Sequence, residues 1–203
     1  MRFLCIGQKI PHVYYLSIVP LLLVSTISDG HAATYSINPT STHIKFAIER
    51  FKNSATAGGF YNISGQLQYD PDLRAGDISL IIPIDSLNTG NTSFNKSLTG
   101  PDFFDAKMHP SARFKSTKWY FNKAKKPQVT RVDGYLTLHG ETHPISLTAT
   151  KFECGTSVGF KQEICGGNFT AMIDRTKWDI NKFAWFGLTK NLQLNIKVEA
   201  ARQ

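Results

Sequence analysis

The sequence predicts an all-β fold, an eight-stranded antiparallel extended barrel of the lipocalin-like kind. Apolar and polar residues alternate with period two along most of the chain, which is typical of strands with one buried face. The segments between them are short and rich in turn-forming residues. Residues 86–110 break the alternation once, and we predict a short helical insertion there, near residues 93–105. Eight strands can enclose one small ligand.

The first 33 residues are predicted to be a cleaved signal peptide. Arg2 and Lys9 form a positively charged start, and residues 13–27 are mostly apolar, as in the hydrophobic region of such peptides. A membrane anchor is the less favoured alternative, because the run is shorter than the roughly 20 apolar residues that span a bilayer. We therefore expect one exported domain over residues 34–203.

The first half of that domain contains three segments with strand character. From residue 42 to 51 every second residue is apolar, which predicts a half-buried strand. Glycines 58 and 59 allow a bend before extended structure resumes, and a turn over residues 70–76 precedes the most regular alternation. The residues expected to face the interior in this half are Ile44, Phe46, Ile48, Ile78, Leu80, Ile82 and Ile84.

The insertion carries an adjacent aromatic pair, Phe103 and Phe104. Polar residues 88–92 can cap a helix that ends before Gly100. Asp102 and Asp105 are better explained as capping residues of a turn than as a catalytic carboxylate pair. Two alternatives remain open for the phenylalanines, which either plug the barrel or help it hold a ligand.

Strand periodicity returns after the insertion and continues to the end of the chain. Residues 112–121, 129–139 and 145–149 alternate, and residues 169–173 form another short strand. Residues 192–200 give the longest alternation and predict the longest strand. Among the residues expected to face inward here are Phe114, Leu136, Leu138, Leu147, Ala171 and Leu194.

Two cysteines, Cys154 and Cys165, remain after the predicted export. A disulfide is the default in an oxidising compartment, and it would close a hairpin loop. A redox pair is the alternative, but such pairs usually have the tighter Cys-x-x-Cys spacing. We predict a structural disulfide.

The chain is basic, with a formal net charge of +8, but its charge pattern does not indicate nucleic-acid binding. Lysines 123, 125 and 126 form the one cluster, beside Pro127, and a solvated turn explains them better than a binding patch. The four histidines of the expected domain lack zinc-ligand spacing, and no nucleophile elbow or phosphate loop occurs. We predict no metal, no required cofactor and no catalysis, and leave transient membrane contact and a homodimer open.

Four motifs, in this order, resemble the YceI-like family of exported, lipocalin-like isoprenoid-binding proteins. They are residues 35–39 (Tyr-Ser-Ile-Asn-Pro) with 44–46; Gly58-Gly-Phe60 with Gly65; Leu98 and residues 102–105 with Pro110 and Phe114; and residues 134–140 with Pro144 and Ile145. The resemblance runs from Tyr35 to Ala200.

This resemblance implies a periplasmic carrier or store with a long apolar tunnel for an isoprenoid lipid, either a quinone or a polyprenyl chain. An enzyme acting on an amphiphile, or a stress-response module that binds a partner around a structural lipid, is the alternative. Arg175 or His109 is expected to meet the polar head group. The residues expected to line the tunnel are Ile44, Phe46, Ile48, Leu80, Ile82, Leu98, Phe103, Phe104, Leu136, Leu138 and Leu194.

Overall fold

Antiparallel strands make up most of the computed structural model, which describes residues 32–50, 54–157, 161–182 and 189–203. Side chains are described at all of these positions except 48–50 and 54–56. The described residues contain ten strands: Ala33–Ile37 (β1), His43–Arg50 (β2), Ser54–Phe60 (β3), Ser64–Asp70 (β4), Ala75–Pro83 (β5), Ser111–Phe121 (β6), Val129–Leu138 (β7), Glu141–Thr156 (β8), Glu163–Asp174 (β9) and Asn191–Arg202 (β10).

These ten strands form a closed barrel of eight, because two barrel strands are each broken into halves. The sheet order is β1-β4-β5-β6-β7-β8-β9-β10-β2-β3, and β1 also pairs with β10. Both β1 and β2 run antiparallel to β10 and pair with successive parts of it. In turn, β3 pairs with β2 while β4 pairs with β1. The prediction of an all-β, eight-stranded antiparallel barrel is therefore confirmed.

The break between β1 and β2 is held by Glu199 of β10. The Asn38 amide donates to the Glu199 carbonyl at 2.8 Å, and the Thr42 hydroxyl accepts from the Glu199 amide at 3.1 Å. Thr42 is almost fully buried. Buried main-chain groups need such partners, so a polar threonine at an interior position replaces the missing ladder contacts.

Register shifts, which mark β-bulges or irregular pairing, change which residues of a strand face inward; one of the three in the described strands lies between Tyr120 and Phe121 of β6. In β6 the register shifts between Ser116 and Lys118, so the buried positions change from Phe114 and Ser116 to Trp119. In β8 the shift lies between Ala149 and Lys151. A bulge adds one residue to one strand, which explains why simple alternation fails along both strands. β8 has 16 residues and β10 has 12, so the prediction that residues 192–200 belong to the longest strand is wrong.

The disulfide joins β8 to β9, as predicted. Cys154 and Cys165 are direct cross-strand partners and form the bond with their Cα atoms 4.0 Å apart. Nearby, the Tyr35 hydroxyl of β1 donates to the Glu163 carboxylate at 2.8 Å. Arg202 of β10 forms an ion pair with the same carboxylate, so this end of the barrel is tied at the seam where β1 meets β10.

The insertion lies at the opposite end, between β5 and β6. A 3-10 helix, Ile84–Ser86, is followed by α1, Thr92–Leu98, whose amino end is capped by the Asn91 side chain accepting from the Phe94 amide at 2.9 Å. An isolated bridge between Gly59 and Asn88 connects this region to β3. In the part of the chain that the structure describes, no helix has the length and apolar character to cross a bilayer.

The segment from residue 99 to 110 continues as turns. Asp105 accepts from the Met108 amide at 3.4 Å, consistent with a capping role. Asp102 instead forms an ion pair with Lys182 at 3.1 Å, which ties the insertion to the segment after β9. The predicted signal peptide falls almost wholly outside the described residues, which begin at residue 32.

Candidate functional site: two apolar cavities beneath the insertion

Two small cavities lie inside the barrel at its insertion end. The first, here called the insertion cavity, has a volume of about 50 Å³; the second, the strand cavity, measures about 60 Å³. The described residues lining the insertion cavity are Phe46, Leu98, Phe103, Phe104, Leu138, Ile173, Arg175, Ile180 and Leu192. Those lining the strand cavity are Ile44, Phe60, Ile82, Ile84, Phe104, Ala112, Leu136, Leu138, Ile173, Leu192 and Leu194.

Four side chains border both cavities and form the wall between them: Phe104, Leu138, Ile173 and Leu192. Phe104 comes from the insertion, while the others come from β7, β9 and β10. The insertion is therefore part of the cavity wall.

The lining suits an apolar ligand, but the free space is limited. Drug-sized ligands usually occupy pockets of roughly 300–1,000 Å³, several times larger than either cavity. A long hydrocarbon chain consequently fits only if side chains of the shared wall move aside. Burial of such a chain is favourable by about 25 cal/mol for each Å² of apolar surface removed from water.

Arg175 is the one charged side chain among the described residues that line either cavity. It is only 3% exposed. Its Nη1 donates to the Ile180 carbonyl at 2.6 Å and its Nε to the Thr189 carbonyl at 3.1 Å, whereas Nη2 has no hydrogen-bond partner among the described residues. Burial lowers the pKa of the Arg175 guanidinium, and nearby Asp174 partly opposes this effect.

A second 3-10 helix, Arg175–Trp178, sets the position of Arg175. The Asp174 side chain caps its start by accepting from the Thr176 amide at 3.0 Å. In a 3-10 helix residues three apart lie on the same side, so Arg175 and Trp178 both point inward and both are buried. Trp178 anchors the turn, because its indole N–H donates to the Leu136 carbonyl at 3.0 Å.

The matches to known proteins agree with this geometry. A family model described as the YceI-like domain matches residues 35–200, which is nearly the whole of the barrel. The chain belongs to the YceI-like family. A UPF0312 protein of Vibrio cholerae is 27% identical over 179 residues, covering 86% of this chain and 90% of the relative. A UPF0312 protein of Pseudomonas putida is 30% identical over 178 residues, covering 85% and 88%.

Solved structures with the same fold include other YceI-like barrels. BcnA of Burkholderia cenocepacia superposes with a TM-score of 0.66 at 22% identity, covering 81% of this chain and 99% of BcnA. A polyisoprenoid binding domain from Saccharophagus degradans, implicated in plant cell wall breakdown, gives a TM-score of 0.61 at 14% identity and covers 85% and 100%. At these identities the likeness establishes the fold.

Most of the residues that the sequence suggested for the tunnel of this YceI-like protein border one of the two cavities. Leu80 is buried but is not among the described lining residues, and the side chain of Ile48 lies outside the described part of the chain. The suggested residues that do border a cavity are Ile44, Phe46, Ile82, Leu98, Phe103, Phe104, Leu136, Leu138, Leu194 and Arg175. Their contact with a ligand stays a prediction.

His109 lies away from both cavities, although the sequence suggested it as a head-group contact. Its ring packs against His139 with the centroids 4.9 Å apart. His139 occupies the two-residue β7–β8 turn together with Gly140, and both have positive φ, as such hairpin turns require. Its Nδ1 lies 3.1 Å from the Trp178 carbonyl. The histidines thus hold the hairpin against the second 3-10 helix.

Among the described residues, no three histidine, cysteine or acidic side chains are grouped so that they could hold a metal ion. His143 packs its ring against Trp178, with the centroids 5.2 Å apart. The chemistry that the two described cavities offer is apolar contact.

Several lining residues were not among those that the sequence suggested for the tunnel, although Ile84 was expected to face the interior. Leu192 and Ile173 share the phase of Leu194 and Ala171 on their strands, so the alternation contained the signal for them. Ile180 follows the second 3-10 helix, where no periodicity applies. The additional described lining residues are Phe60, Ile84, Ala112, Ile173, Ile180 and Leu192.

Proposed function

We propose that this YceI-like protein binds an isoprenoid lipid, a polyprenyl chain or a quinone, and stores or carries it in the periplasm without catalysis. The observation that carries the proposal is the pair of apolar cavities beneath the insertion, which share four lining residues. The similar domain of Saccharophagus degradans, described as polyisoprenoid binding, supports the same class of ligand.

The shape of the interior favours an elongated ligand. Leu98 and Phe103 of the insertion line the insertion cavity. Ala112 of β6 and Leu136 of β7 line the strand cavity. A chain that occupies both has to displace side chains that the two cavities share, such as Phe104. An isoprenoid is suitable because its burial needs few polar contacts.

Displacement of the shared wall has a modest energetic requirement. Rotating Phe104 ends its edge-to-face contact with Phe60, and such a contact contributes about 0.5–1.5 kcal/mol beyond area burial. Each prenyl unit that enters brings new apolar surface out of water. The favourable free energy from burying several prenyl units exceeds the loss of the aromatic contact. Burial of a single unit compensates for a smaller part of that loss.

The direct test is extraction of lipid from the full-length protein purified in its exported form under non-denaturing conditions. We expect mass spectrometry of the organic extract to show a polyprenyl lipid or quinone in an amount that scales with protein. Stripped protein should take up an added isoprenoid, with affinity rising as prenyl units are added. Absence of a co-purified lipid together with failure to bind any added isoprenoid would contradict the proposal.

A further inference from the structure

A polar groove lies on the outer face of the barrel, where β8, β9, β10 and β2 are successive neighbours. Its volume is about 210 Å³. The groove, here called the outer groove, is lined among the described residues by His43, Lys45, Thr150, Asn168, Phe169, Thr170, Asn195, Ile196 and Lys197. None of these residues lines the insertion cavity or the strand cavity, so the outer groove is a separate feature of the molecule.

Strand register brings the polar side chains of the outer groove together. The paired positions are Lys197 with His43 and Asn168, and Asn195 with Lys45 and Thr170. Phe169 and Ile196, which lie between these positions along β9 and β10, are buried. Because successive side chains of a strand point to opposite faces, the paired polar side chains point outward, away from the barrel interior.

A register shift in β8 supplies another side of the groove. Between Ala149 and Lys151 the pairing of β8 with β9 is irregular, and a bulge leaves one residue out of the ladder. Here that residue is Thr150, whose hydroxyl donates to the Asn168 carbonyl at 3.1 Å. The irregularity therefore places a threonine at the edge of the groove.

The outer groove gathers basic side chains without an acidic one. Its described lining contains Lys45, Lys197 and His43 but no aspartate or glutamate. The ion pairs formed among the described residues involve neither Lys45 nor Lys197. Burial, and after it the charges of Lys45 and Lys197, lower the pKa of His43. Since these like charges act on one another, an anion placed among them is stabilised.

Two carboxylates at neighbouring strand positions are already engaged. Glu199, two residues after Lys197, accepts a hydrogen bond from the Asn38 side-chain amide at 3.1 Å. Glu153 of β8 forms an ion pair with Lys151 at 3.0 Å. Neither carboxylate therefore serves as the counter-ion of the lysines in the groove.

We propose that the outer groove binds a sugar that carries a phosphate or sulfate group. The anionic group lies among Lys45, Lys197 and His43, because hydrogen bonds from charged donors to an anion are roughly twice as strong as those between neutral groups. The side-chain amides of Asn168 and Asn195 offer both donors and acceptors to the sugar hydroxyls. This site lies outside the barrel and does not depend on the proposed lipid function.

The shape and composition of the groove favour a small soluble ligand over a lipid surface. Segments that bind anionic membranes carry clusters of about 4–8 lysines or arginines. The outer groove instead has two lysines with amide and hydroxyl side chains beside them. It is a recess between strands whose volume suits a single sugar ring, whereas a flat membrane surface contacts only its rim.

The test is an NMR titration of the purified full chain with glucose 6-sulfate, glucose and sodium sulfate. We expect the sulfated sugar to bind about 3- to 10-fold more tightly than either glucose or the free ion, because exposed ion pairs each contribute modestly. The largest shifts should be at the amides of Asn168 and Asn195. The advantage of the sulfated sugar over glucose should shrink at high salt, since exposed charges are screened.

Variants assign the binding to the outer groove. The double variant Lys45→Gln, Lys197→Gln should lose the preference for the sulfated sugar over glucose. Thr170→Trp leaves every charge in place but fills the groove, so it should abolish binding of both sugars. Lys115→Gln is the matched control, because Lys115 is an exposed strand lysine paired with Asp77 outside the groove. It should keep the full preference.

Acid should strengthen binding through His43. The charged groups that act on its imidazole are Lys45 of the same strand and Lys197 of β10, and its ring meets the Tyr61 ring with the centroids 6.1 Å apart. The sulfate ester stays ionised, and once bound it favours the protonated imidazole. Affinity for the sulfated sugar should therefore rise about two- to fivefold from pH 7.5 to pH 5.5. His43→Asn should abolish this rise.

The contrary outcomes are distinct. Equal binding of the sulfated sugar and glucose by the wild-type protein overturns the anion site, and a preference that survives in the double lysine variant places it elsewhere. If sodium sulfate binds as tightly as the sulfated sugar, the groove holds an ion only and the sugar assignment is wrong. If Thr170→Trp and wild type bind phosphatidylglycerol vesicles equally and neither binds the sulfated sugar, the lysines serve a membrane surface instead.

Discussion

The ring of Phe104 meets the ring of Phe60 edge-on, with the centroids 5.4 Å apart. Phe104 belongs to the insertion and Phe60 ends β3, so this contact joins the insertion to the broken barrel strand. The Phe60 ring also contacts the ring of Phe46 of β2, with the centroids 5.8 Å apart. Because Phe104 borders both cavities, the aromatic contact also holds their shared wall in place.

Removing this wall should unite the cavities. We predict that Phe104→Ala lowers the free energy of unfolding by about 3–5 kcal/mol and accelerates uptake of an apolar fluorescent probe, because the ligand no longer has to displace a ring. Stopped-flow fluorescence measures the uptake rate. Leu80→Ala is the control, since Leu80 is also buried but is not among the described residues that line either cavity. Equal uptake rates in the two variants would show that Phe104 does not limit access.

The two tryptophans of the described residues, both buried, should differ in their tolerance of phenylalanine. Trp178 donates its indole N–H to the Leu136 carbonyl, whereas the Trp119 indole N–H has no hydrogen-bond partner in the described part of the chain. We expect Trp178→Phe to lower the free energy of unfolding by about 1–3 kcal/mol, measured by chemical denaturation. Trp119→Phe loses no hydrogen bond and should cost clearly less. If Trp119→Phe lowers the free energy of unfolding more than Trp178→Phe does, packing rather than the indole hydrogen bond determines the cost of the substitution.

Glu163 should make barrel closure sensitive to acid. Hydrogen bonds from Arg202 and then Tyr35 lower the pKa of Glu163 below its ordinary value of 4.5. Its ionised form therefore stabilises the fold above about pH 4.5, and that contribution disappears as pH falls through the lowered pKa. We expect Glu163→Gln to reduce Tm at pH 7 and the difference from wild type to shrink below pH 4.5. A difference that is constant from pH 3 to 7 would rule out this linkage.

Loss of the disulfide should weaken the fold and leave the cavities intact. The bond closes a short loop, so the double variant Cys154→Ser, Cys165→Ser should lose about 2–3 kcal/mol of stability, or about 4–12 °C in Tm for a domain of this size. Calorimetric scans measure this change. Lipid affinity should stay unchanged at temperatures where the variant is folded, since neither cysteine borders the insertion or strand cavity. A loss of lipid affinity at temperatures where the double variant is folded would contradict the prediction that the disulfide stabilises the fold without shaping the cavities.

The regular parts of the barrel could be predicted because each strand buries one face. Ile78, Leu80, Ile82 and Ile84 alternate in sequence and are all buried. The bulges at Ser116 and Ala149 could not be predicted, because they shift the register without any distinctive residue. The break between β1 and β2 was missed for a similar reason, since Thr42 is held by a residue 157 positions away.

The candidate site was partly predictable for the same physical reason. Alternation along a strand predicts that residues such as Leu138 and Leu194 point their side chains into the barrel. Arg175 drew attention only through the family resemblance, and its unpartnered Nη2 follows from three-dimensional packing. His109 could not be placed from sequence, because its surroundings depend on the β7–β8 turn.

The isolated bridge between Gly59 and Asn88 makes one side of the barrel wall unusually easy to part. Within the described residues, β3 faces this neighbour through only two main-chain hydrogen bonds, each 2.9 Å long, whereas most other adjacent strands are joined by longer ladders. Separation of β3 from the insertion therefore breaks these two bonds, the hydrogen bond from the Tyr61 amide to the Ser86 hydroxyl and the contact between the Phe60 and Phe104 rings. Separation of two fully paired barrel strands breaks a whole ladder, so side chains rather than main-chain bonds hold this part of the wall.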